Sequence, residues 1–280
     1  MRIVTIILFV LLLSMSIYAY DIEGGRQAGM AGTIILSKPS AYGSLNCPAT
    51  NLLPNQFIIE TVGNRKFGLA DLDQAAILAA YRFNNISVAF GFSRMGTPDY
   101  YTEKNIRTVL SYHKRSITAS LISSGRLVEI GRTYGKLQAA SAGLGLSYFK
   151  DNYYFGITID DINKPNIVKY DDDDDDDDNA ENVKINLFAE IDGKGKHSVT
   201  GRVVFEKYEK PHISLAQFIN LTETNGLFWG LSFNPLKYGG GFEIEYNKFS
   251  ICYGLSHHPV LGFSHNISLS FLTGRTNKID

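Results

Sequence analysis

The chain has 280 residues with a formal net charge of -1, 20% charged residues and 12% aromatics, including 16 Tyr and 17 Phe beside 26 Gly. The near-zero charge excludes a strongly basic nucleic-acid-binding face, and a mix light in charge but rich in Tyr, Phe and Gly suits many short strands joined by turns. A mean hydropathy of -0.07 is the average expected when one face of each strand is apolar and the other polar.

At the N-terminus, Arg2 precedes an apolar run from Ile3 to Leu13 and then Ser14 to Ala19. This is the pattern of a secretory signal peptide spanning residues 1–19, cut after Ala19; the run is shorter than the ~20 residues of a spanning helix. No Cys follows the cut, and Cys47 and Cys252 are compatible with either one bridge or two buried thiols.

Residues 20–55 do not alternate. Glu23–Gly32 is rich in Gly and Ala, and Lys38–Ala49 carries Pro39, Gly43, Asn46, Cys47 and Pro48. Small residues permit close backbone approach, which suits a plug or hatch packed inside a barrel, with Gly29, Gly32, Asn46 and Pro48 as candidate plug or ligand residues; a plain N-terminal tail is the alternative.

From about Gln56 to Leu272 the chain alternates. Ile86, Val88, Phe90 and Phe92 interleave with Ser87, Ala89, Gly91 and Ser93; Phe263, Ile267, Leu269 and Phe271 oppose Ser264, Asn266, Ser268 and Ser270. Successive strand side chains point to opposite faces, so each segment has an apolar and a polar side. The count is roughly 12 to 14 such segments of about 7 to 10 residues, long enough to cross a bilayer at a barrel's tilt. Turn signals at Phe83–Asn85, Lys150–Asn152, Asp192–Gly195 and Tyr238–Gly241 separate strands, and a helical period shows only in Asp71–Ala80. The expectation is an all-β, antiparallel transmembrane β-barrel over residues 56–272, with a plug over 20–55 and a polar tail over 273–280; a soluble secreted β-sandwich is the competing fold. Eight consecutive aspartates, Asp171 to Asp178, repel one another and belong in an acidic external loop over residues 170–181. Weak cation capture at Asp171, Asp174 and Asp178 is the functional reading of that run, although calcium loops space their ligands around a Gly turn.

His257, His258 and His265 lack the spacing of a metal set. No nucleophile elbow, zinc-protease motif, phosphate-binding loop or dinucleotide fingerprint occurs, so no cofactor and no enzyme activity are expected.

Four segments resemble a known group. Ala28–Gly32 is similar to the A-x-M-G-G-A opening of FadL and PorV/PorQ-like outer-membrane barrels, and Leu45–Leu52 to their N-P-A-G-L element, with Cys47 in place of Asn and Thr50 in place of Gly. Gly156–Ile167 is similar to the N-I-N-x-P-N-I turn of PorV- and PorP/SprF-type proteins through Asn163, Pro165 and Asn166. Tyr253–His265 resembles their closing hairpin through His258, Pro259, Gly262 and His265. The resemblance implies a barrel with an N-terminal plug in the bacterial outer membrane, in contact with its lipid. It implies a structural or docking role toward secretion-machinery proteins, or alternatively a channel for uptake of small hydrophobic compounds. A continuous apolar tunnel past residues 24–49 would favour uptake, and a sealed lumen would favour a scaffold.

Overall fold

The computed structural model describes residues 23–48, 52–97, 100–131, 136–165 and 182–273. The expected signal peptide, the acidic run with Asp171, Asp174 and Asp178, the turn residue Asn166 and the tail beyond Thr273 lie outside the described residues.

Among the described residues, fourteen antiparallel strands form one closed barrel in which each strand pairs with its sequence neighbours. They are β1 (Phe57–Arg65), β2 (Asp73–Phe83), β3 (Ile86–Thr97), β4 (Tyr101–Lys114), β5 (Ile117–Ile130), β6 (Lys136–Lys150) and β7 (Tyr153–Asp160), followed by β8 (Lys184–Asp192), β9 (His197–Glu206), β10 (His212–Asn220), β11 (Asn225–Phe233), β12 (Lys237–Tyr246), β13 (Phe249–His258) and β14 (Gly262–Leu272). β1 and β14 close the ring in a register running from Ile58 opposite Leu272 to Arg65 opposite His265. Thr273 extends the seam: its amide donates to the Phe57 carbonyl at 2.8 Å, and the Phe57 amide donates to its hydroxyl at 3.0 Å. A single ring leaves no second sheet to pack against, so the sandwich alternative does not hold.

The period of two decides which residues face where. Ser87, Ala89 and Ser93 of β3 are buried while Ile86, Phe90 and Phe92 are exposed. The same division runs round the ring, leaving Ile77, Leu121, Leu146, Phe155, Leu187, Val199, Leu215, Trp229, Phe242, Ile251 and Leu269 on the outside. An apolar belt encircling a molecule is far larger than the patches water tolerates, and it is what a lipid-facing barrel wall presents.

The two rims differ. On the rim holding the start of β1 and the end of β14, the connections at 84–85, 115–116, 151–152, 193–196, 221–224 and 247–248 are two to four residues long. Asn84, Asp151 and Lys194 take positive φ at three of them (49°, 54° and 57°), a conformation Asn and Asp tolerate better than most side chains. The opposite rim carries the longer connections, including that between β7 and β8.

Two expectations need correction. Asp71–Ala80 is not helical: a 3₁₀ turn at Ala70–Leu72 leads directly into β2, whose cross-strand partners outweigh the local period. Tyr238–Gly241 is no turn either. It lies inside β12, with Gly239 opposite Gly230 and Gly241 opposite Gly254. These glycines are there for their missing Cβ rather than for their backbone freedom.

Candidate functional site

Residues 23–48 lie within the ring, against its inward face. Helix α1 (Gly25–Gly29) packs on β11 to β14, and helix α2 (Ala41–Asn46) on β1 to β4. Both are too short to hold together alone, so their stability comes from the wall. Ser40 caps α2, its hydroxyl accepting from the Gly43 amide at 3.1 Å, a favoured N-cap arrangement.

Close approach fixes α1. A Cβ on Gly254 would stand 1.8 Å from the Gly25 carbonyl oxygen, and one on Gly230 would stand 2.4 Å from the Met30 carbonyl carbon. The inward glycines of β11, β12 and β13 form the bed on which the helix backbone lies.

Apolar contacts fill two regions. Ile34, Leu36, Tyr42, Leu45 and Cys47 of the segment pack with Ile58, Leu78, Val109, Ile122 and Phe188 of the wall. Met30 and Ile35 pack with Ala216, Phe218, Phe228 and Cys252. Cys47 and Cys252 are both buried and are not joined in a disulfide.

Charged groups from the wall complete the anchoring. Glu243 of β12 pairs with Arg26, lies 3.6 Å from Lys38 Nζ, and accepts from the Ser250 hydroxyl at 2.8 Å. Lys38 also reaches Glu245 at 3.4 Å, and its ammonium sits 3.9 Å from the centre of the Phe218 ring. Glu190 of β8 accepts from the Leu36 amide and from the Ser37 hydroxyl. Glu60 of β1 accepts from the Ser40 hydroxyl at 3.3 Å and the Tyr42 amide at 3.4 Å. Arg107 of β4 donates to the Leu45 carbonyl at 2.8 Å while paired with Asp160 at 2.7 Å. Arg202 of β9 donates to the Gly32 carbonyl at 2.9 Å, and Lys237 pairs with Glu23 at 2.6 Å. These wall acids and bases satisfy polar groups of a segment that has little secondary structure of its own. Burial pushes the Lys38 ammonium below its ordinary range, and the nearby Arg26 adds to this against the pull of Glu243 and Glu245.

The candidate residues from the sequence divide between this site and the opposite rim. Gly29 lies under Phe228, where a Cβ would come within 2.3 Å of the ring. Gly32 takes φ +85° and offers its carbonyl to Arg202. Asn46 caps the end of α2 by donating to the Tyr42 carbonyl at 3.0 Å, and Pro48 fills the space left by Gly145 of β6. Asn163 clamps the edge of β6, donating to Ala140 at 2.7 Å and accepting from Ala142 at 2.9 Å, with Pro165 buried close by in sequence. His258 accepts from the Val260 and Leu261 amides at 3.3 and 3.2 Å, closing the hairpin around Pro259 and Gly262. The three histidines do not converge: His257 stacks between Tyr238 and Phe263, and His265 shares a 2.8 Å hydrogen bond with the Tyr253 hydroxyl. Reasoning from sequence missed Glu60, Arg107, Glu190, Arg202 and Glu243, single charges on polar strand faces that resemble any wet lumen.

Between the segment and the short-turn rim lies a cavity of about 1290 Å³, bounded by Arg26, Lys38, Glu243, Glu245, Ile219 and Leu272. Its lining mixes charged and apolar side chains and so is not an apolar surface throughout.

Comparison with known proteins places this arrangement. A TodX monoaromatic hydrocarbon channel lacking S2 superposes with a TM-score of 0.65 at 10% identity, over 90% of this chain and 99% of that one. The CymD monoaromatic hydrocarbon channel gives 0.63 at 11%, over 89% and 96%. The chain shares the fold of these channels. The toluene transporter TbuX of Ralstonia pickettii gives 0.60 at 8%, over 89% and 97%. No family model matches the chain, and no curated protein matches it by sequence. The likeness is thus to FadL-type barrels at the level of fold, and none of these neighbours is described as a PorV, PorQ or PorP/SprF protein.

Proposed function

We propose that the protein is an outer-membrane channel for small hydrophobic compounds, with residues 23–48 as its plug. The observation that carries this reading is the shared architecture: a fourteen-stranded barrel with an apolar exterior, matched over about nine-tenths of the chain by structures described as monoaromatic hydrocarbon channels and a toluene transporter. The apolar exterior supports placement in a bilayer. Short turns on one rim and longer connections on the other support a periplasmic position for the first and an external one for the second.

The plug is held by non-covalent contacts alone, so a path opens when they yield. Passage then requires the anchors at Glu243, Glu190 and Glu60 to release or shift, and the plug's apolar residues offer surface to a greasy solute. The wall groups that hold residues 23–48 in place, Glu243, Glu190 and Glu60 among them, favour a second reading, in which the barrel is a scaffold that docks secretion-machinery proteins. The experiment that separates them is uptake of labelled toluene into proteoliposomes containing the full chain. Saturable uptake above that of empty vesicles supports the channel; a rate equal to empty vesicles, for both the native chain and a variant with a loosened plug, supports the scaffold.

A further inference from the structure

The outer wall at the rim with longer connections carries a feature that the lumen does not explain. Two register rows cross β14, β1 and β2 there. In the lower row Ile267 stands opposite Gly63, Gly63 opposite Ala75, Ala75 opposite Arg94 on β3, and Arg94 opposite Lys104 on β4. In the upper row His265 stands opposite Arg65, and Arg65 opposite Asp73. All of these side chains lie on the outward face, since Asn64, Gln74 and Asn266 beside them are buried inward.

Gly63 and Ala75 interrupt a face that otherwise carries large apolar groups. One row further from the rim stand Leu269, Thr61, Ile77 and Phe92, three of them large and apolar. The two small residues leave a depression of about 880 Å³, with Gly63, Ala75 and Ile267 as its floor, Arg94 beside them, and Arg65, its partner Asp73 and His265 at its rim side. Arg65 is held in place by Asp73, which takes two of its donors at 2.8 and 2.7 Å; a guanidinium has five, so others stay available. Arg94 stands opposite Lys104 on the neighbouring strand; the Lys104 ammonium is paired with Glu129 at 2.8 Å, and the exposed Arg94 guanidinium stands beside the depression.

We propose that this depression binds a phosphate-bearing membrane lipid, the headgroup phosphate on Arg65 and Arg94 and an acyl chain over Gly63 and Ala75. The charge complements a phosphate. The floor is continuous with the apolar belt, so the occupant needs a tail lying in the bilayer. Free phosphate would leave the floor unused, and a soluble partner would not reach it. The proposal needs only that the barrel sits in a bilayer; it is independent of what the barrel carries.

The test is native mass spectrometry of the detergent-solubilised full chain with dimyristoylphosphatidylglycerol, dimyristoylglycerol or inorganic phosphate as probe. The expected result is retention of phosphatidylglycerol but not of the phosphate-free diglyceride. Retention should fall about tenfold or more in Arg65→Gln/Arg94→Gln, as expected when a charge-assisted hydrogen bond is lost. Ala75→Phe, which fills the floor without touching a charge, should lower retention as well. Lys114→Gln on the other rim should leave it unchanged. Folding of each variant is read from heat-modifiable gel migration, and Ala75→Phe keeps the test decisive should the double variant not fold. Equal retention of both lipids would overturn the proposal. So would retention unchanged in the arginine or Ala75 variants, or full competition by inorganic phosphate with no effect of Ala75→Phe.

Discussion

Arg26 of α1 and Glu243 of β12, 217 residues apart in the chain, form an ion pair inside the barrel. The Glu243 side chain is 2% exposed and that of Arg26 is 12% exposed, so both charges are largely shielded from water. Removing one member of such a pair leaves the other buried and uncompensated, a loss on the order of 3 kcal/mol. Glu243→Gln also strips Lys38 of a partner at 3.6 Å. The expected outcome is a loosened plug in an intact barrel: faster amide hydrogen exchange at residues 25–46 with unchanged heat-modifiable migration. Arg26→Gln/Glu243→Gln should recover part of the protection, because no orphan charge remains.

Gly254 tests the glycine bed. Its absent Cβ would meet the Gly25 carbonyl oxygen at 1.8 Å, backbone against backbone, so Gly254→Ala cannot be absorbed by a side-chain rotation. Gly240, on the outward face of the neighbouring strand, would place a Cβ at an ordinary 3.5 Å from the Phe228 carbonyl oxygen. Gly254→Ala should raise exchange and protease sensitivity in α1, and Gly240→Ala should leave both as they are.

The contrast between these two glycines shows what sequence could and could not yield. The strands were legible because the alternation of Phe90 and Phe92 with Ser87 and Ser93 is a direct consequence of backbone geometry. The glycine run at Gly239–Gly241 was not, because glycine signals both a turn and a missing side chain, and only the position of α1 tells which applies. Gly29 and Gly32 lie where the segment meets Phe228 and Arg202, while the wall groups that hold the segment left no sign in the sequence. Glu60 and Glu190 each stand alone on a polar strand face, and their partners Ser40 and Ser37 come from a segment with no regular pattern. The pairing of Ser37 with Glu190 spans 153 residues and leaves no local trace; that of Ser40 with Glu60 spans 20 and has no regular pattern to mark it.

Lys38 makes the plug sensitive to pH. Burial lowers its pKa below the ordinary lysine value of 10.5. The undocked segment then binds more protons than the docked one between the lowered value and 10.5, so docking strengthens as pH rises across that window. The contribution is complete above the ordinary value and is lost as pH falls through the lowered one. Hydrogen exchange of the plug, corrected for the intrinsic pH dependence of the exchange chemistry, should show rising protection as pH climbs toward 10.5. Lys38→Met, which keeps an unbranched side chain but places no charge over Phe218, should flatten that slope.

Cys252 offers a direct reading of plug movement. It is inward on β13, 3% exposed, with its carbonyl 2.6 Å from where a Cβ on Gly25 would lie, so α1 covers it. A thiol reaches maleimide only when exposed, and labelling therefore counts the fraction of time that α1 is lifted. Cys47, fully buried beyond α2, would blur the signal, so the measurement uses a Cys47→Ala chain, whose loss of a small buried side chain is mild. Labelling of Cys252 should be slow in that chain and should accelerate when Glu243→Gln is added, by about tenfold or more for a loss above 1.4 kcal/mol. Addition of toluene should accelerate it too if a hydrophobic solute enters by displacing α1. Labelling that stays slow with Glu243→Gln present, in a barrel that still migrates as folded, would mean that Arg26 and Glu243 do not govern how the plug opens.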